Sequence, residues 1–143
     1  MAYMFRQKLR LEDLANLKSA PKKVLVFEPE EYLSALYAHY LRQQAFLVSQ
    51  CAQIENLLAE VAGFGPHLLV FNAEPKGNFD MGRAWLFECK KAHPELVVVT
   101  TAFNAGTQAV SELMEAGCQS HINRNFSRPQ DLGLVVSTLL HNN

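Results

Sequence analysis

The sequence predicts an α/β fold: a doubly wound, five-stranded parallel sheet in the order 2-1-3-4-5, with helices on both faces and a short helical extension in front. Three observations predict it. Short apolar runs alternate with longer stretches of helical periodicity, the pattern of repeated βαβ units. The run Leu68-Leu69-Val70-Phe71-Asn72 lies between Gly65-Pro66-His67 and Ala73-Glu74-Pro75-Lys76-Gly77. Bounded by turn formers on both sides, so short a run reads as a strand buried on both faces, the central one. With 143 residues and 49% hydrophobic content, the chain is long enough to bury the core of one domain.

Residues 1–22 are expected to form an extension and residues 23–143 the domain. Leu11, Leu14 and Ala15 share a helical face, with Phe5 and Leu9 near the same side and Ser19-Ala20-Pro21 as a stop. That predicts a short helix, either frayed or docked on its own domain or a partner. Val24-Leu25-Val26-Phe27 is the first strand. The carboxylates of Glu28-Pro29-Glu30-Glu31 suit the positive end of the next helix, whose Leu33, Leu36, Tyr37, Tyr40 and Leu41 form a stripe that covers a sheet. Phe46-Leu47-Val48 is a second, short strand, and Ile54, Leu57, Leu58 and Val61 repeat the stripe until Gly63 and Gly65. After the central strand, Asp80 is expected to cap a helix that buries Met81, Trp85, Leu86 and Cys89 and stops at His93-Pro94. Leu96-Val97-Val98-Val99 is the fourth strand and ends in Thr100-Thr101. A fourth helix is expected to turn Val110, Leu113 and Met114 inward, with Asn104 as cap and Gly117 as terminator. Gln119-Ser120-His121-Ile122-Asn123 is polar enough for a sheet edge. In the last helix Ser127 and Gln130 have capping-box spacing, ahead of a stripe of Leu132, Val135, Val136, Leu139 and Leu140.

Composition removes several functions. A formal net charge of -1 leaves no electrostatic footprint for nucleic acid or an anionic membrane. Cys51, Cys89 and Cys118 are odd in number and far apart, and read as reduced thiols of a cytoplasmic protein. No apolar run spans a bilayer, and Arg6, Lys8 and Arg10 interrupt the start before a signal-peptide core can form. Gly63-Phe64-Gly65 precedes a strand instead of following one, so it is a turn and not a phosphate loop. His39, His67, His93, His121 and His141 fall one per element, so spacing shows neither a metal cluster nor a nucleophile with its base. No cofactor and no metal is expected.

In a parallel sheet chemistry gathers where strands end at their carboxyl edge. Here those ends read Glu28-Pro29, Asn72, Thr101-Ala102 and Arg124-Asn125-Phe126. In that order they resemble the receiver domain of response regulators, a flavodoxin-like fold, over residues 23 to 141. Receivers carry two acids after the first strand that hold Mg²⁺, a phosphoaccepting aspartate after the third, a Thr or Ser before an Ala after the fourth, and Lys-Pro-Phe after the fifth. Glu115-Ala116-Gly117-Cys118 and Phe126-Ser127-Arg128-Pro129-Gln130-Asp131-Leu132 look like the family's stretches around the fifth strand. The resemblance implies a signalling domain of two-component or phosphorelay type.

The departures decide what the resemblance implies for chemistry. Glu28 stands for the first acid, but the second falls on Pro29, the phosphoacceptor on Asn72, and the lysine on Arg124 with Asn125 in place of proline; only the hydroxyl of Thr101 is intact. An amide is a poor nucleophile for phosphoryl transfer, and one carboxylate is a poor host for Mg²⁺. The site therefore resembles that of a pseudo-receiver, without enzymatic chemistry. Arg124 is expected either to pair with Glu28, Asn72 bonding both and locking one state, or to stand exposed with no partner. Glu30 and Asp80 read as helix caps and Glu74 as a loop residue, although any of them is close enough to be weighed as a substitute acceptor. His121 falls at the position of the family's switch aromatic and is expected to be a half-exposed edge residue titrating near its ordinary value.

Three functions remain open on these residues. The first is a phosphorylation-independent adaptor binding a protein partner, which the resemblance implies is a histidine kinase, another regulator or an effector. Its expected interaction face is the fourth helix, fifth strand and fifth helix, with Gln108, Ser111, Glu112, Glu115, Arg128 and Gln130 and weak homodimerisation. The chain ends soon after the last helical stripe, so output is expected from the domain's own surface. The second is a small-ligand sensor at the strand-end crevice, and the third an atypical phosphoacceptor using a neighbouring acid.

Overall fold

A computed structural model describes residues 20–141; the expected extension helix falls in residues 1–19, outside the described residues. Five parallel strands pair in the order β2-β1-β3-β4-β5. They are β1 (Lys23–Phe27), β2 (Leu47–Cys51), β3 (Leu68–Asn72), β4 (Val97–Ala102) and β5 (Ser120–Asn123), alternating with α1 (Glu31–Gln43), α2 (Leu57–Phe64), α3 (Phe79–Ala92), α4 (Thr107–Ala116) and α5 (Pro129–His141). The predicted sheet, its order and its central strand are the observed ones. All five residues of β3 are buried.

Because side chains alternate along a strand, each strand feeds two cores. Val24, Val26, Leu68, Val70, Val99 and Ile122 meet Tyr37 and Leu41 of α1 and Leu132, Val136 and Leu140 of α5. Leu25, Phe27, Leu69, Phe71 and Val98 face the other way, onto α2, α3 and α4 through Leu57, Val61, Leu86, Cys89 and Leu113. Glu28, Asn72, Thr101 and Arg124 continue the first parity, so all four leave their strands toward the α1/α5 layer at one end of the sheet.

Several local expectations are corrected. β2 is Leu47–Cys51, shifted past Phe46, whose ring is instead buried against α1 and α5. Asn78 caps α3, its Oδ1 accepting from Met81 N at 3.0 Å, and Asp80 lies in the first turn. A short 3₁₀ turn, Pro75–Gly77, moves the helix start forward. Gly106, not Asn104, precedes α4, and Met114 is 43% exposed because the helix turns Leu113 and Ala116 inward. Ser127 and Gln130 form no capping box; Asp131 Oδ2 accepts from the Arg128 N–H at 2.8 Å, the back-reaching half of such a box one residue later. Gly117 does end α4, in the left-handed conformation at φ 118°.

One close approach positions the site. A Cβ on Gly82 of α3 would stand 2.0 Å from the carbonyl oxygen of Ala73, the residue after Asn72. Glycine here lets α3 lie directly on the loop that leaves β3.

Candidate functional site

Backbone ladders deliver the four side chains to one place. The amide of Glu28 donates to Cys51 O at 3.1 Å, that of Ala73 to Thr101 O at 2.9 Å, and that of Arg124 to Ala102 O at 2.7 Å. Asn72 lies in register with Thr101. These bonds fix the strand ends on which the side chains stand.

Glu28 is the centre of the cluster and is 1% exposed. Asn72 Nδ2 donates to both its carboxylate oxygens, at 3.0 and 3.1 Å. Arg124 Nη1 donates to Oε1 at 3.1 Å, and the amide of Glu30 to Oε2 at 2.9 Å. The Oδ1 of Asn72 accepts from the amide of Glu74 at 2.7 Å, which folds the loop over the site. Asn72 therefore bonds Glu28 but not Arg124, so the expected Glu28–Arg124 pair is present and Asn72 joins it through Glu28 alone. The exposed alternative for Arg124 is overturned: its side chain is 10% exposed.

Arg124 is held by a residue the sequence reading passed over. Its guanidinium carbon lies 4.0 Å from the centre of the Phe103 ring, a cation–π contact. Asn125, where receivers have proline, donates through Nδ2 to Phe103 O at 2.6 Å and also bonds Asn104 Oδ1. The side chain at 125 thus ties the loop after β5 to the loop after β4. The signal was present, since Phe103 directly follows the Thr101-Ala102 pair. Asn104, read as a cap, is engaged in this tie.

Burial is the largest influence on Glu28 and raises its pKa; the Glu30 amide, Asn72 and Arg124 pull it back without cancelling the rise. Burial also pushes the neighbouring Tyr37 hydroxyl up to about 12, against the opposing pull of Arg124. The hydroxyl of Thr101 is buried and meets no partner among the described residues, and neither does Arg124 Nε.

These residues do not fit a divalent cation. Glu28 already accepts four hydrogen bonds, Pro29 carries no oxygen donor on its side chain, and Asn72 directs an N–H toward the carboxylate where a cation would need an oxygen. Among the described residues no three His, Cys, Asp or Glu side chains gather as metal ligands. Two of the three nearby acids are engaged as well. Glu30 caps α1 by accepting from Tyr32 N and Leu33 N, and Asp80 lies 3.6 Å from Arg83. Glu74 lines a crevice of about 230 Å³ with Glu28, Leu33, Lys76, Phe103 and Arg124.

His121 lies beside β4 and is less free than expected. Its Nδ1 is 2.8 Å from the hydroxyl of Thr100, its register partner, and its Nε2 is buried without a partner among the described residues. Burial lowers its pKa below the ordinary value, with a smaller opposing pull from Glu74. The expected near-ordinary titration is therefore corrected, because the ring is half-buried on the strand's inner side.

The expected interaction face is divided. Gln108, Ser111 and Arg128 are exposed and Gln130 half-buried. Glu112 instead pairs with Arg83 of α3 at 3.0 Å, and Glu115 lines the groove between α3 and α4. No helix among the described residues is long and apolar enough to cross a membrane.

Solved structures of similar shape include response-regulator receiver domains. The chain is similar to a CheY-like response regulator receiver domain protein from Methanospirillum hungatei JF-1, with a TM-score of 0.76 and 18% identity over 86% of this chain and 96% of that one. It is similar to the receiver domain of NtrX from Brucella abortus, at 0.74 and 25% over 84% and 99% of the two chains. The BeF3-activated DrrB receiver domain matches at 0.72 and 21% over 85% and 99%. No family model matches the sequence, and no curated protein matches it.

Proposed function

We propose that this chain, whose fold is that of the response-regulator receiver domains, is a phosphorylation-independent signalling adaptor that acts by binding another protein. The observation that supports this is the closed cluster of Glu28, Asn72 and Arg124. A phosphoacceptor needs a free anionic oxygen, and a metal needs a carboxylate with free lone pairs. In this cluster the amide oxygen of Asn72 accepts from Glu74 and the Glu28 carboxylate is filled by protein donors. Arg124, which takes the place of the family's phosphate-contacting lysine, is occupied by Glu28 and the Phe103 ring. The side chains that replace the switch chemistry hold the loops after β1, β3, β4 and β5 together in one arrangement. Output then passes through a surface of constant shape. The partner is a kinase, another regulator or an effector, and Gln108, Ser111, Arg128 and Gln130 supply the polar rim of that surface. A small-ligand sensor is the weaker reading, since about 230 Å³ of crevice is below the roughly 300–1,000 Å³ usual for ligand sites.

The test is phosphate uptake. Wild type, Asn72→Asp and the double variant Pro29→Asp/Asn72→Asp are incubated with a small phosphodonor and Mg²⁺, and intact mass is read. Wild type and the single variant are expected to gain no phosphate, and the double variant to gain some, because only it restores both the nucleophile and the second metal carboxylate. A phosphate adduct on wild type would overturn the reading.

A further inference from the structure

The groove between α3 and α4 is a cavity of about 440 Å³ lined by Arg83, Phe87, Glu88, Glu112 and Glu115 among others. Phe87 is 55% exposed at its rim. Arg83 is taken by Glu112 and Asp80, so among the described residues no cation pairs with Glu88 or Glu115. The nearby Lys90 is turned away, its ammonium held by the carbonyls of Pro94 and Leu96. The groove is thus apolar at its rim and acidic along its walls, and it calls for a basic, apolar occupant.

The chain carries such a segment outside the described residues. Residues 1–11 hold Arg6, Lys8 and Arg10 interleaved with Tyr3, Met4, Phe5, Leu9 and Leu11, and the first acid is Glu12. Both α3 and α4 run from the carboxyl edge of the sheet to the amino edge, where β1 begins at Lys23. Residues 12–19 extended span about 26 Å, and β1 and β4 stand only two strand spacings apart, about 10 Å. The larger cavity at the amino edge, about 580 Å³, is flanked by Lys22, His67 and His93, and its Val61, Leu96 and Leu140 are already buried. Its one acid, Glu95, is balanced by Lys22, so it offers a basic segment less net opposite charge than the α3/α4 groove, where Glu88, Glu112 and Glu115 face Arg83 alone.

We propose that residues 1–11 of the same chain dock in the α3/α4 groove, with Arg6, Lys8 and Arg10 meeting Glu88 and Glu115 and the interleaved apolar side chains covering Phe87. The inference does not depend on the adaptor reading. It makes the α3/α4 face an intramolecular interface and leaves the α4/β5/α5 side open to partners. Trypsin under native conditions tests it, since it cuts after Arg6, Lys8 and Arg10 only when the segment is released. In the full chain, Glu88→Lys/Glu115→Lys is expected to speed these cuts at least about fivefold, because cleavage tracks the open population. Adding Arg6→Glu/Arg10→Glu to that variant restores the opposite charges and is expected to return the remaining Lys8 cut to the wild-type rate. Both groove positions are exposed, and thermal unfolding verifies that the variants fold. Equal cutting in wild type and Glu88→Lys/Glu115→Lys overturns the proposal. Protection that grows with protein concentration also overturns it, since the occupant is then a second copy.

Discussion

Replacing Asn72 by aspartate tests what holds the carboxyl edge together. The substitution changes one NH₂ into an oxygen, and that NH₂ lies 3.0 and 3.1 Å from the two oxygens of Glu28. A hydrogen bond to a charged group, roughly 1.5–3 kcal/mol, is lost. Two anions about 3 Å apart at an effective dielectric of 20 repel by about 5 kcal/mol. Proton uptake limits the damage: keeping one carboxyl neutral at pH 7 against an ordinary value of about 4 costs about 4 kcal/mol. Asn72→Asp is therefore expected to destabilise the fold by about 3–4 kcal/mol at neutral pH.

The pH dependence follows from the direction of that shift. The folded pair titrates above its unfolded value, so the variant's deficit is full above the raised pKa and fades as pH falls toward about 4. Urea denaturation of wild type and variant at pH 8 and pH 5, with and without millimolar Mg²⁺, measures this. Mg²⁺ should restore little, because Pro29 supplies no second carboxylate; Pro29→Asp/Asn72→Asp should recover more. If Asn72→Asp matches wild type at pH 8 without a divalent cation, the cluster is not what holds these loops.

Other substitutions separate the remaining parts. Arg124→Ala leaves Glu28, whose side chain is 2% exposed, without its cation, and should cost about 3 kcal/mol at pH 8. Since it raises the Glu28 pKa further, thermal unfolding should show a smaller deficit at pH 5; an equal deficit at both values would count against the ion pair. His121 should titrate below its ordinary value of 6.5 when followed by NMR, because burial disfavours the imidazolium. Its unfolded form binds the proton first, so His121 subtracts stability as pH falls below about 6.5. Thr100→Val removes the hydroxyl partner of Nδ1 and should cost about 1–2 kcal/mol at pH 7, measured by urea denaturation.

The sheet was legible because burial on both faces leaves a continuous apolar run, and Leu68-Leu69-Val70-Phe71 has no polar interruption. Helix starts were less legible. Asp80 and Asn78 are both good caps, and a local sequence pattern does not say that Pro75–Gly77 will form a 3₁₀ turn and choose Asn78. At the site, the positions of the strand ends were enough to bring Glu28, Asn72, Thr101 and Arg124 to one edge. They did not give the bonds. Whether Asn72 turns its NH₂ to Glu28 alone depends on Glu74 N claiming its oxygen, and the Phe103 ring under Arg124 depends on how two loops pass each other.

The interaction face shows the limit of periodicity most clearly. Gln108, Ser111, Glu112 and Glu115 are spaced so that they share one side of α4, which is why the sequence reads them as one surface. A helix lying on a sheet has two flanks, however, and its own period does not say which flank adjoins which neighbour. Arg83, 29 positions before Glu112, resolves it by drawing Glu112 onto α3 at 3.0 Å. Glu115, one turn on, follows into the α3/α4 groove. Acid on α4 therefore belongs to the groove beside α3, and at the start of α5 Arg128 is paired with Asp131 at 3.4 Å. On the α5 side the charges of Arg128 and Asp131 offset each other, so binding there should depend weakly on salt, whereas contacts in the groove should weaken as salt screens Glu88 and Glu115.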